Sequence, residues 1–206
     1  MSRLLPLLVL AVFAALAARP AAASEYLIDT EGAHAFIQFK ISHLGFSWLL
    51  GRFDHFSGNF SFDENDPASA TAEVVIDTAS VDTNHAERDR HLRDTDYLDS
   101  ADFPQARFVS TGYEPLGGGK GRLHGNFTLR GVTRPIVIDV DAVGAGTDPW
   151  GGYRQGFEGT TRFALADFGI TAFLGAAAKE VQIYLSIEGI RQNPDNRPNK
   201  PGNLHF

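Results

Sequence analysis

The strongest constraint in this chain is an alternation of apolar and polar residues with a period of two, repeated in about eight separate runs. Ala35, Ile37, Phe39 and Ile41 alternate with Phe36, Gln38, Lys40 and Ser42. Phe56, Gly58, Phe60 and Phe62 alternate with Ser57, Asn59 and Ser61, and Ala70, Ala72, Val74 and Ile76 make a third run. Ala106 and Phe108 begin a shorter one, and Leu123, Gly125, Phe127 and Leu129 form a fifth. Ile136, Ile138, Val140 and Ala142 follow Pro135, a residue tolerated at the start of a strand. Phe157, Gly159, Thr161, Phe163 and Leu165 form a seventh run, and Val181, Ile183, Leu185 and Ile187 an eighth. Such strands have one apolar face each, and those faces must be hidden against one another in a closed barrel or a two-sheet sandwich. Glycines inside the runs, Gly58, Gly125 and Gly159, suit the bends of a closing barrel.

Turn chemistry separates the strands. Residues 63–67 read as a loop, 117–120 as a hairpin tip, Arg130 and Gly131 as a bend, and 144–152 as a longer loop. Residues 84–93 lack β-branched side chains, and Asn84 with Glu87 three positions on resembles a capping box. One short surface helix near residues 84–94 follows. The class is all-β, with one domain over 24–191. The tail at 192–206 is rich in Asn, Pro and Gly, shows no periodicity and is expected to be mobile.

Residues 1–23 differ from the rest. Arg3 precedes an apolar stretch from Leu4 to Ala18, and Ala21 and Ala23 supply small residues at the positions a signal peptidase requires. The stretch is shorter than the roughly 20 residues of a membrane span. A cleaved secretory signal and a periplasmic protein are expected. Cleavage removes Arg3 and Arg19 but no acid, so the formal charge moves from -7 to -9. That acidity argues against nucleic-acid binding, which needs cations to replace phosphate counterions. The absence of cysteine excludes disulfides, thiol nucleophiles and zinc–thiolate sites.

Chemistry-bearing constellations are few. His85 and His91 are six apart and do not share a helical face. Glu87 and His91 could share one, but no metal-ligand spacing is recognisable. No serine sits in a Gly-x-Ser-x-Gly elbow, and Asp94, Asp96, Asp99 and Asp102 read as a solvated turn. The aromatic content is more informative. Residues 45–51 read as a loop carrying Phe46, Trp48, Leu49 and Leu50, which water solvates badly unless they cover a barrel mouth or a self-association surface.

From residue 25 to 191 the chain resembles the YceI-like family of bacterial periplasmic proteins. The resemblance lies in the strings at 41–53 (ISHLGFSWLLGRF), 80–89 (SVDTNHAERD), 103–108 (FPQARF), 125–135 (GNFTLRGVTRP), 148–152 (DPWGG) and 167–170 (DFGI). It implies an eight-stranded antiparallel lipocalin-like barrel with an elongated apolar cavity. It also implies binding of long isoprenoid chains, such as those of quinones or polyprenyl phosphates, and no catalytic activity. No cofactor is expected beyond such a bound lipid.

On this reading Ile37, Phe39, Ile41, Phe60, Val74, Ile76, Phe108, Phe127, Ile138, Phe163, Ile183 and Leu185 contact the lipid tail. His43, Phe46, Trp48, Arg52, His85 and Arg88 guard the mouth. The expected partner is a polyisoprenoid lipid, without nucleic acid or stable membrane insertion, and a homodimer is compatible. Rival readings are an outer-membrane barrel, an unrecognised enzyme, and a packed barrel serving as a periplasmic stress-response or interaction module.

Overall fold

The computed structural model describes residues 23–172 and 177–193; the expected signal segment, up to residue 22, and the tail from residue 194 lie outside the described residues. The chain forms β1 (Ser24–Ile28), β2 (Phe36–His43), β3 (Ser47–Phe53), β4 (Phe56–Phe62), β5 (Thr71–Asp77) and β6 (Val81–Asp82). After α1 (Ala86–Leu92) come β7 (Gln105–Gly117), β8 (Lys120–Leu129), β9 (Val132–Thr147), β10 (Tyr153–Ala164) and β11 (Glu180–Arg191). All neighbours are antiparallel, and the pairing of β1 with β11 closes the sheet.

The segments occupy eight positions around a barrel. β11 pairs with β2 along its first half (Val181↔Ile41 to Ser186↔Phe36) and with β1 at its end (Gly189↔Ile28 to Arg191↔Tyr26). β1 and β2 are therefore one strand interrupted at 29–35. β3 and β4 form a second, bent at Asp54 and His55, and β5 and β6 a third, broken by the turn Thr78–Ser80. Two of the breaks share a corner. The Asp54 N–H donates to the Ser80 carbonyl (3.1 Å), the His55 N–H to Ser80 Oγ (3.0 Å) and the Asp77 N–H to the His55 carbonyl (3.0 Å). Short polar side chains offer the backbone partners that compete with a ladder, which is why the strands bend here.

The structure departs from the sequence expectation in five places. β1 was not anticipated, because five residues carry too little alternation. Residues 47–51, expected as loop, belong to β3; the turn is confined to 44–46, where Leu44 (φ 55) and Gly45 (φ 83) are left-handed and the Phe46 N–H reaches the His43 carbonyl at 2.9 Å. Asn84 does not cap the helix: its φ is 60, and His85 takes the role, Nδ1 accepting from the Arg88 N–H at 3.2 Å. The loop expected at 144–152 shrinks to 148–152, since β9 stays paired to β10 up to Thr147. Asp99 is buried rather than solvated.

Glycine is required where the wall is tightest. A Cβ at Gly58 would lie 2.4 Å from the Glu73 carbonyl oxygen, and one at Gly51 would lie 2.2 Å from the ring of its ladder partner Phe39. The Phe39 ring thus lies flat over β3.

A buried ionic clasp reinforces the closure. Arg154 on β10 donates to Asp29 at the end of β1 (2.6 Å), to Asp148 in the β9–β10 turn (2.8 Å) and to Glu188 on β11. Asp148 also accepts the N–H groups of Trp150 (3.0 Å) and Gly152 (2.8 Å). Burial pushes the Asp29 carboxyl up, but Arg154, His34 and the Gly32 N–H more than offset it and hold the group below the usual carboxylate range. A depressed carboxylate stabilises the fold above its unfolded pKa, and that contribution is lost as the pH falls through the lower folded value.

Gly58→Val should destabilise the protein by about 2 kcal/mol through overpacking against backbone, read as a lower urea midpoint at unchanged slope. Arg154→Ala should cost about 3 kcal/mol by stranding Asp29. In urea titrations, wild type should lose stability as the pH drops below about 4, and Asp29→Asn should flatten that dependence.

Candidate functional site

Closing eight positions of alternating strands turns one face of every strand inward, and that face does not fill the space it encloses. The interior holds a cavity of about 450 Å3. Its wall follows ladder parity. Phe39 pairs with Ile183 and Ile37 with Leu185; Val74 pairs with Phe108, and Phe108 with Phe127, so each pair shares the inward face. All twelve side chains expected to face inward line the cavity: Ile37, Phe39, Ile41, Phe60, Val74, Ile76, Phe108, Phe127, Ile138, Phe163, Ile183 and Leu185.

The two ends differ. Toward the β1–β4 side, Tyr26 stacks on Phe60 (4.8 Å between centroids), while Phe157 meets Phe60 and Phe62 edge-on at 5.6 and 5.2 Å. At the opposite end the barrel is partly capped. Phe168, 1% exposed, packs on Phe127 and Phe163, and Ile170, Tyr97 and Leu98 join the same cluster. Arg130 in the β8–β9 turn ties this cap together through the carbonyls of Gly169 (2.8 Å) and Thr95 (2.5 Å). At this end His43, the last residue of β2, and His91 of α1 are both exposed and part of the cavity wall.

Of the residues expected at the mouth, His43 and Arg88 line the cavity; Phe46, Trp48, Arg52 and His85 are not part of its wall. Parity explains the difference. On β3, Leu49, Gly51 and Phe53 oppose the inward residues Ile41, Phe39 and Ile37, so Trp48, Leu50 and Arg52 must face out. Trp48 is 55% exposed, with the Lys40 ammonium 4.2 Å above its ring, and Phe46 is 87% exposed. Arg52 is held outside by Asp54 (2.6 Å) and Asp82 (2.8 Å), and the His85 ring is committed to the helix cap.

The sequence reading placed Arg88 of α1 at the mouth but otherwise treated the helix as a surface element, and so missed His91 and Leu92 in the wall. Arg88, His91 and Leu92, at i, i+3 and i+4, share one face and all line the cavity. That spacing was visible in the sequence. The role of Tyr97, Leu98 and Ile170 was not, because it depends on how connecting segments fold over the barrel end.

Polar groups in the wall are few and largely satisfied. Thr161 donates to the Val137 carbonyl at 2.7 Å, and Ser61 and Thr71 bond one another at 2.7 Å. Tyr113 also lines the cavity; burial, with the Asp141 charge adding to it, raises its phenol above the usual value, so the hydroxyl stays neutral. Outside the cavity, Asp29, His34 and Glu188 converge as three potential metal ligands. The Arg154 guanidinium bonds both carboxylates of that set and supplies the positive charge a cation would bring. What the cavity offers chemically is a largely apolar surface with His43, Arg88 and His91 in its wall at one end.

Comparisons with known proteins agree with this architecture. A model of the YceI-like domain matches residues 26–189. A UPF0312 protein of Shewanella sp. (strain ANA-3) is 54% identical over 177 residues, covering 86% of this chain and 93% of the relative, and one from Shewanella baltica (strain OS185) is 53% identical with the same coverage. Among solved structures, Burkholderia cenocepacia BcnA superposes with a TM-score of 0.71 at 25% identity, covering 78% of this chain and 98% of its own. A Campylobacter jejuni YCEI protein gives 0.64 at 26% identity, covering 74% and 91%. A polyisoprenoid binding domain from Saccharophagus degradans shares the fold, with a TM-score of 0.57 at 17% identity, covering 84% of this chain and 100% of that domain. With its barrel spanned by the matching domain and close relatives aligned over most of their length, this chain belongs to the family defined by the YceI-like domain.

Proposed function

We propose that this protein binds one long polyisoprenoid lipid in its barrel and carries or stores it in the periplasm. The observation that carries the reading is the cavity itself, about 450 Å3 and walled by inward Ile, Leu, Val and Phe from every barrel position. Small-molecule sites typically enclose roughly 300–1,000 Å3. Burying each methylene contributes about 0.8 kcal/mol, so a hydrocarbon chain gains affinity from length alone, although ordering it offsets part of that gain. The Saccharophagus degradans domain of the same fold is described as polyisoprenoid-binding, which supports the same ligand class here.

The rival readings fit less well. A packed interaction or stress-response module needs a filled interior. An outer-membrane barrel needs an apolar belt, whereas these strands carry outward ion pairs, Arg107–Glu73, Arg122–Asp139 and Lys120–Asp141 among them. Among the described residues no helix is long and apolar enough to cross a membrane. The exposed strip of Leu44, Phe46, Trp48 and Leu50 is consistent with a homodimer.

Binding is tested by incubating the full chain with decaprenol and measuring the lipid retained through gel filtration. Phe127→Arg should lower retention more than tenfold and cost about 3 kcal/mol of stability through an unpaired buried charge. Ile138→Trp should fill the cavity and lower retention while the fold persists, and Trp48→Ala should change nothing. Full retention by Ile138→Trp would contradict a tail in this cavity. For location, fractionation of a bacterium expressing the chain should recover it in the periplasm with Ser24 as its first residue; cytoplasmic protein starting at Met1 would contradict export.

A further inference from the structure

We propose that the β2–β3 hairpin docks this protein on a lipid bilayer, setting Leu44, Phe46, Trp48 and Leu50 into the interfacial layer with Lys40 at anionic head groups. Such a contact serves the exchange of cargo with a membrane, and that purpose rests on the carrier reading. The contact itself stands on the surface of the hairpin.

Four large apolar side chains lie exposed on this one hairpin: Phe46 (87%), Leu50 (66%), Trp48 (55%) and Leu44 (50%). Trp48 and Leu50 share the outward face of β3, and Leu44 and Phe46 occupy the turn that leads into it. The turn is fixed by hydrogen bonds, the Gly45 N–H donating to Ser42 Oγ (3.1 Å) and the Phe46 N–H to the His43 carbonyl (2.9 Å). Leu44 holds a left-handed φ of 55 there, a conformation that favours glycine or asparagine, and its side chain is still left half in water. A strained apolar residue that gains so little burial marks a surface that meets something apolar. The same hairpin contributes His43 and Leu49 to the cavity wall, so one face borders the interior and the other borders solvent.

Charge selects a bilayer over a second copy of the chain. Lys40 faces outward opposite Leu50, with its ammonium 4.2 Å above the Trp48 ring. The carboxylates around the strip are already engaged: Asp54 and Asp82 hold Arg52 (2.6 and 2.8 Å), Glu180 lies 3.7 Å from Arg162, and Glu158 accepts from Tyr184 at 3.2 Å. Pairing two strips face to face would bury the Lys40 of each copy with no anion to meet it, which is costly. Against a bilayer its aliphatic stem lies along the apolar layer while the ammonium reaches lipid phosphate. Tryptophan beside lysine suits the membrane–water boundary, where one end of each side chain is apolar and the other wet. Depth is set by the backbone. Residues 47–51 of β3 are paired to β2 alone, since β6 meets β3 only at Arg52 and Phe53. Hydrocarbon cannot satisfy the groups along that free edge, so the hairpin goes no deeper than the hydrated head-group boundary.

The two tryptophans supply an internal control, because Trp150 lies in the β9–β10 turn beside the Arg154 clasp, at the opposite end of the barrel. The full chain is mixed at low salt with vesicles of phosphatidylethanolamine and phosphatidylglycerol, free of prenyl lipid, and binding is measured by co-sedimentation. In Trp150→Phe, the Trp48 emission should shift to the blue and be quenched by lipids brominated near the head-group end of the acyl chain. In Trp48→Phe, the Trp150 emission should not move. Phe46→Ser should lower vesicle partitioning about tenfold. Lys40→Gln should lower it about fivefold on these vesicles and leave it unchanged on phosphatidylcholine alone. Both substitutions are on the surface and should keep the wild-type urea midpoint. Absence of vesicle binding by wild type would overturn the docking surface, as would full binding by Phe46→Ser. A stable dimer in which Trp48 is already shielded before vesicles are added would overturn it in favour of a second copy. Decaprenol retention is measured separately on the same preparations; its loss alone would sink the carrier reading and leave the vesicle contact standing.

Discussion

Everything in this structure depends on the antiparallel ladder closing on itself through β11, which pairs with β2 for half its length and with β1 at its end. Once a ladder closes, a side chain has only two directions available, and a one-residue slip would exchange them throughout. The inward set is apolar from every position, so register is enforced by burial. The Arg154 clasp adds a polar lock where β1, β10 and β11 meet, joining residues far apart in sequence. Such a pair contributes less to net stability than its charge suggests, because both groups were well solvated before folding, but breaking it is expensive.

The hollow is a consequence of which residues face in. Glycine at positions such as Gly51 lets an aromatic ring lie against the opposing strand rather than project to the barrel axis. The ends are then treated differently, with stacked aromatic rings at one and a cap of Phe168, Ile170, Tyr97 and Leu98 at the other. α1 completes the second end with a face that is part apolar and part basic. An asymmetric container of this kind imposes an orientation on an amphipathic guest, apolar end first.

Much of this was legible in the alternation alone. Strands with three or four inward apolar residues, such as Leu123 to Leu129, announced both their existence and their buried face, and all twelve inward residues lie in the cavity wall. β3 failed because Trp48, Leu49 and Leu50 are apolar on both faces, which erases the period-two signal and mimics a loop. Assigning Trp48 and Arg52 to the mouth failed for the same reason, since without the strand there was no parity to send them outward. The capping of α1 turned on a backbone angle at Asn84 that residue types do not reveal. The barrel-end cap arises from long-range packing of connecting segments, and local sequence pattern carries no record of it.

The central claim is that the barrel interior holds a lipid chain. It is tested most directly by native mass spectrometry of the full chain purified from an expressing bacterium without detergent. The account predicts a protein peak carrying one added mass, released by organic solvent and identified by fragmentation as a prenyl lipid. A bare-protein mass alone, unchanged after the purified protein is exposed to an extract of bacterial membranes, would contradict it.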